Sequence, residues 1–206
     1  MSIKMRLHKI LAVAAFLATM ALSPGGTAAA QSYSLGTNVV EWANLGTVNA
    51  EAGVALARRA SLHAGVRYNP WTFRKGNPED RFTDPAGDSE RQFENRKRAF
   101  SLSVRYWPWY VYSGWWVYGR GQYMEYNRGG LIRHTAEEGD AFGVGAGLGY
   151  TRMLHKRWNL ELGAGVWGGV KSYREYRCTN CGTTLESGRK PFVLPDDVFV
   201  SLVYVF

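Results

Sequence analysis

The sequence predicts an all-β fold: an eight-stranded antiparallel up-and-down transmembrane β-barrel. Three observations carry this. Segments of about ten residues alternate apolar side chains with small or polar ones, the length and pattern of a tilted strand crossing a bilayer. After a short first connection (44–46), the connections between those segments alternate short and long, so that every long one falls on the same side. No stretch beyond the N-terminus approaches the roughly 18 consecutive apolar residues of a membrane helix, and in lipid a chain without helices satisfies its backbone only as a closed barrel.

Residues 1–30 stand apart from the fold and read as a secretory signal peptide. Lys4, Arg6 and Lys9 form a basic start, Ile10 to Leu22 an apolar run, and Ser23-Pro24-Gly25-Gly26 a break. Ala28-Ala29-Ala30 supplies small residues for cleavage before Gln31. An uncleaved anchor is the competing reading. No Cys follows the apolar run, which excludes lipoprotein processing. The remaining residues, 31–206, make one barrel domain. Loss of the three basic residues lowers the formal net charge from +8 to +5. The remaining charges intersperse both signs, unlike a nucleic-acid footprint, so nucleic acid is excluded as a partner.

The strands follow in order. The first, about 33–43, alternates imperfectly. The second sets Val48, Ala50, Ala52, Val54 and Leu56 against Thr47, Asn49, Glu51 and Gly53. The third sets Leu62, Ala64, Val66 and Tyr68 against Ser61, His63, Gly65 and Arg67. The fourth sets Phe100, Leu102, Val104 and Tyr106 against Ala99, Ser101, Ser103 and Arg105. The fifth, about 114–125, is again less regular. In the sixth, Phe142, Val144, Ala146, Leu148 and Tyr150 lie on one face and four glycines on the other. A helix would mix those two sets; a strand separates them. The seventh sets Trp158, Leu160, Leu162, Ala164 and Val166 against Asn159, Glu161, Gly163, Gly165 and Trp167. The eighth lines up Val198, Val200, Leu202, Tyr204 and Phe206.

The long connections, 70–95, 126–139 and 171–194, all fall at one end. The turns 57–60, 107–113 and 154–157 fall at the other, the asymmetry of outer-membrane barrels with periplasmic turns. Aromatic residues gather near both ends. Trp107, Trp109, Tyr110, Tyr112, Trp115, Trp116, Trp158 and Tyr204 form an expected girdle at the turn end, with Phe206 beside them. Tyr68, Trp71, Phe73, Tyr123, Tyr126 and Tyr173 mark the other. A sugar-stacking platform is a second reading of the tryptophans.

The inward faces carry Glu51, Arg67, Arg105, Arg120, Gln122 and Glu161. Side chains fill the interior of an eight-stranded barrel, so these are expected to pair as a polar network; a charged narrow pore is the alternative. Cys178 and Cys181 lack a second ligand pair for zinc and a redox-fold context. In an oxidising compartment they point to a loop disulfide. The charge-dense stretch 74–98 reads as a solvated loop, or as a contact for lipopolysaccharide phosphates or a protein. His63, His134 and His155 form no triad or metal site recognisable by spacing, so no catalytic, cofactor-binding or metal residue is assigned.

Several stretches together resemble a family of small outer-membrane β-barrel proteins of Bacteroidota, itself of uncharacterised function. They are Gly36-Thr-Asn-Val-Val-Glu-Trp-Ala43, Gly65-Val-Arg-Tyr-Asn-Pro-Trp-Thr-Phe73, Val104-Arg-Tyr-Trp107, Lys156-Arg-Trp-Asn-Leu-Glu161 and Tyr176-Arg-Cys-Thr-Asn-Cys-Gly182. The resemblance implies an outer-membrane barrel, often found alongside genes for fimbria-like surface structures, and supplies no catalytic residues. Phe206, behind Tyr204 and Leu202, resembles the signal read by barrel-assembly machinery. The expected role is therefore non-enzymatic: structural, or supporting surface assembly and adhesion through the outer loops. The expected surroundings are outer-membrane lipid, lipopolysaccharide and fimbrial or other surface proteins. A lipid-modifying enzyme using His134, a small pore and a soluble periplasmic barrel are the alternatives.

Overall fold

A computed structural model describes residues 32–75, 91–129, 135–177 and 184–206. The strands are β1 (Tyr33–Asn38), β2 (Val48–Ala57), β3 (Ala60–Asn69), β4 (Thr72–Lys75), β5 (Arg91–Tyr106), β6 (Gly114–Gly129), β7 (Ala136–Met153), β8 (Trp158–Tyr176) and β9 (Thr184–Val205), with one helix, α1 (Val39–Ala43). All strand pairs are antiparallel, and β3–β5 and β1–β9 pairing closes eight strands into a barrel. β4 lies outside the ring of eight and pairs with the far half of β5.

The closure is staggered. One row of paired residues runs Leu35, Ala52, Ala64, Leu102, Gly121, Val144, Gly168, Val193 around the barrel. It returns to β9 eleven residues away from Tyr204, the residue that pairs with Leu35 itself. Such a stagger obliges the strands to tilt about the barrel axis. The row contains no polar side chain.

The alternation resolves as the sequence predicts, with the apolar set outside. Val144 is 69% exposed, whereas the inward Glu161 is 1% exposed. Phe142, Leu148, Val66, Leu102, Val104, Val117 and Val166 share the exposed outer surface. An apolar exterior of this extent around a polar interior inverts a water-soluble fold.

Two expectations are corrected. The first strand stops at Asn38 instead of continuing to about 43, because α1 intervenes. The Asn38 side chain accepts a hydrogen bond from Val40 N at 3.1 Å and caps the helix. The long connections are also shorter than expected. β5 begins at Arg91, β6 runs to Gly129, β7 begins at Ala136, β8 runs to Tyr176 and β9 begins at Thr184. Beyond the apolar belt the outer faces turn polar, at Glu125 and Asn127, Glu138 and Asp140, Ser172 and Arg174. With both faces polar the alternation that marks a strand vanishes. β5 to β9 span 16, 16, 18, 19 and 22 residues, against 6, 10 and 10 for β1 to β3. A five-stranded curved wall therefore rises above a lower lip formed by β1 to β3 and α1.

The opposite end is compact. The 107–113 segment folds back under the barrel, where Trp107 N and Val111 N donate to the carbonyls of Arg59 and Arg58 at 2.9 and 3.1 Å. Tyr112 takes a left-handed conformation, φ 65°, and Gly114 follows at φ 73°. This reversal tucks the Tyr112 ring inside.

Candidate functional site

The interior is organised by glycine. On β7 and β8, Gly147, Gly149, Gly163 and Gly165 face inward, and the space they leave is taken by large rings from β6 and β9. A Cβ at Gly149 would meet Trp116 Cζ2 at 2.5 Å, and one at Gly147 would meet Tyr118 Cε1 at 2.6 Å. Gly163 lies against Phe199 and Gly165 against the Tyr118 hydroxyl. Trp116 stacks on Phe199 with ring centroids 5.6 Å apart, and Trp107 sits 5.5 Å from Trp116. With Tyr112, Val203 and Val205 these rings make a buried floor at the turn end.

That floor corrects the expected girdle. Trp107 and Trp116 are 0% and 1% exposed and face inward. Their indole N–H groups need acceptors once buried, and they find Ser61 Oγ and Thr151 Oγ1, each at 2.9 Å. Trp109, Tyr110, Trp115 and Trp158 are on the outside, where Trp158 meets Tyr204 edge-on and Tyr204 meets Phe206. At the other end Tyr126 and Tyr173 face the inside of the wall rather than its surroundings.

Above the floor, Arg105 is the hub. It donates to Glu161 Oε2 at 2.8 Å and also to Glu51 Oε1, while its guanidinium lies 4.1 Å from the Trp116 ring centroid. Thr151 Oγ1 completes Glu161 at 3.3 Å. Arg67 faces Glu41 at 3.8 Å, and Lys97 Nζ donates to the same carboxylate at 2.8 Å. Arg120 lines the space between the two clusters, and Gln122 is buried opposite Ser101. The cavity between them is about 60 Å³, room for a few waters, against roughly 300 Å³ or more for a small-molecule site.

Glu41 and Lys97 are members that the inward-facing set did not include, whereas His63 lies inward as its parity with Arg67 in the third strand implies. In an uninterrupted strand the parity of Val39 and Glu41 matches the outward Leu35, so Glu41 would face outward. A carboxylate there was the available sign that the strand had ended. Lys97 continues the parity of Ala99 and Arg105.

His63 has geometry of particular interest. Its Nε2 is 3.0 Å from Ser61 Oγ and its Nδ1 is 3.1 Å from Glu51 Oε1. These are the spacings of a nucleophile, base and orienting acid. The surroundings differ from a reactive site: Ser61 is fully buried, its oxygen already accepts from Trp107, and Glu51 is shared with Arg105. Neither Ser61 nor His63 borders the cavity.

The inner face of the wall carries a second polar group. Lys171 Nζ and Tyr126 Oη both donate to Glu137 Oε1, at 2.6 and 2.7 Å. Burial pushes the Glu137 carboxyl up, but these two hydrogen bonds and the Lys171 charge outweigh it and hold the group below the usual carboxylate range. Tyr173 donates to Glu186 at 2.6 Å, which raises the phenol, and Lys190 lies 4.1 Å from its ring centroid. Among the described residues no group of three or more His, Cys, Asp or Glu side chains could hold a metal ion. Cys178, Cys181 and His134 lie outside the described residues, as do residues 1–30, for which a signal peptide is expected.

Comparison with known families places this geometry. The family described as a protein of unknown function, DUF3575, matches residues 14–206. The chain belongs to this family. DUF3575 is here a closed eight-stranded barrel with a packed floor and one raised wall. No curated protein and no solved structure matches the chain.

Proposed function

We propose that this DUF3575 protein is a non-enzymatic barrel of the cell outer membrane, exported by cleavage of residues 1–30, that supports surface assembly or adhesion. The observation that carries the reading is the pairing of an apolar exterior with an interior already filled by its own side chains. A filled lumen neither conducts nor binds, so contact with other molecules falls to the projecting wall. In this reading the turn end faces the periplasm and the wall faces outward, an orientation that the loop asymmetry supports. Fimbrial or other surface proteins are the partners this reading assigns, with barrel-assembly machinery inserting the chain through the Phe206 end. Affinity capture after surface cross-linking of native outer membranes is expected to recover a surface or envelope protein through the wall. Recovery of none overturns the partner role.

The Ser61–His63–Glu51 spacing favours a second reading, a hydrolase. It is tested by a fluorophosphonate probe on the folded protein in lipid. The structural reading expects no label; labelling of Ser61 that is lost in His63→Gln establishes the hydrolase instead.

A further inference from the structure

The two ends of the barrel differ in charge as well as in height. Arg58 and Arg59 form the β2–β3 turn, Arg152 ends the outer face of β7, and Lys156 and Arg157 lie in the β7–β8 turn; all five are exposed. No Asp or Glu occurs in residues 52–62, 104–118, 146–160 or 198–206, the stretches that build this end. The wall end is different, with Glu125, Glu138 and Asp140 interspersed among Arg96, Arg98, Arg174 and Arg189.

The basic groups sit among interfacial rings. Arg58 lies 4.4 Å from the Tyr110 ring centroid and also donates to its hydroxyl. Arg157 Nη1 donates to Tyr204 Oη at 3.0 Å. Trp109, Trp115 and Trp158 are exposed at the same level, directly below the apolar belt. The two basic turns also lie across the barrel from each other. β5 and β6 separate them on one side, β9 and β1 on the other. A single protein docking against one side would meet only one of them, whereas a lipid leaflet surrounds both. Exposed cations at headgroup depth attract anionic lipid, each Lys or Arg contributing roughly a fivefold preference.

We infer that the turn end is a basic collar for anionic phospholipid headgroups, binding their phosphates with Arg58, Arg59, Arg152, Lys156 and Arg157. The inference rests on the outer-membrane reading and names the lipid class that reading leaves open. The collar holds the barrel at a fixed depth and recruits phosphatidylglycerol or cardiolipin to the leaflet that contacts the turns.

The test compares the folded chain in vesicles of pure phosphatidylcholine and of phosphatidylcholine with one quarter phosphatidylglycerol. Lipids that remain bound after gentle detergent extraction are counted by native mass spectrometry. The wild type is expected to retain phosphatidylglycerol and phosphatidylcholine in a ratio about fivefold or more above their bulk ratio, with the excess falling as salt rises. The variant Arg58→Gln/Arg59→Gln/Arg152→Gln/Lys156→Gln/Arg157→Gln is expected to fold in phosphatidylcholine and retain the two lipids in bulk proportion. Arg174→Gln/Arg189→Gln, at the wall end, is expected to keep the enrichment. Folding in both vesicles without enrichment, or enrichment surviving in the five-fold variant, overturns the collar and leaves the membrane barrel standing. Failure of the wild type to insert into either vesicle overturns both. Loss of binding to isolated cell wall in the variant, with lipid ratios unchanged, replaces the collar with a periplasmic polymer contact.

Discussion

Arg105 concentrates the electrostatics of the interior in one side chain. Its planar fork reaches Glu161 on one side and Glu51 on the other, and its flat face rests on Trp116. Removing one partner of a buried ion pair strands the other and costs about 3–5 kcal/mol. Arg105→Met strands two carboxylates and is expected to fall at the upper end of that range. Arg105→Lys is expected to recover part of the loss, since an ammonium keeps the charge without the fork. The measurement is the temperature at which the folded, faster-migrating gel band converts to the unfolded one. Glu51, Arg105 and Glu161 were legible in the sequence because each continues the inward parity of its strand. Arg67 was legible as inward, but its partner was not, because Glu41 reaches the lumen from a helix that breaks the parity.

At the scale of the element, the inward glycines of β7 and β8 are structural, whereas Gly119 and Gly121 on the outer face of β6 are dispensable. Gly149 on β7 touches the Trp116 ring, whereas a Cβ at Gly119 on β6 meets nothing within 4 Å. Gly149→Val is expected to push Trp116 from the floor and abolish the folded gel band, because a packed core tolerates added volume poorly. Gly119→Ala is expected to leave its conversion temperature unchanged. The alternating glycines identified the strands from sequence, but not which rings they accommodate. Residue type alone does not place Trp107 and Trp116, because tryptophan suits a membrane interface and a buried one equally well. What separates them from Trp109 and Trp115 is parity within an irregular segment, together with the reversal at Tyr112. The upper halves of β5 to β9 were unreadable for a different reason: outside the apolar belt, water solvates the outer face and polar residues occupy both.

The whole molecule is asymmetric along the barrel axis and also around it. Its wall carries the Glu137, Lys171 and Tyr126 group above one half of the circumference, and the lip on the other half holds α1. The β1–β9 seam between lip and wall is, with β1–β2, one of the two short ladders of the ring. β1 and β9 pair only from Ser34 to Asn38 against Val205 to Ser201, whereas β7 and β8 pair along the full length of β7. Among the described residues no β-strand faces the upper part of β9 across that seam, and this edge bears Pro191 and Pro195, residues that cannot donate to an added strand. The seam also joins segments far apart in sequence, while its neighbours are local hairpins. Contacts between distant segments bear the largest loop-closure entropy and are made late. The short β1–β9 ladder thus sets an order of events: the hairpins zip first as an open curved sheet, and the first and last strands meet in the slow, final step that turns a sheet into a barrel.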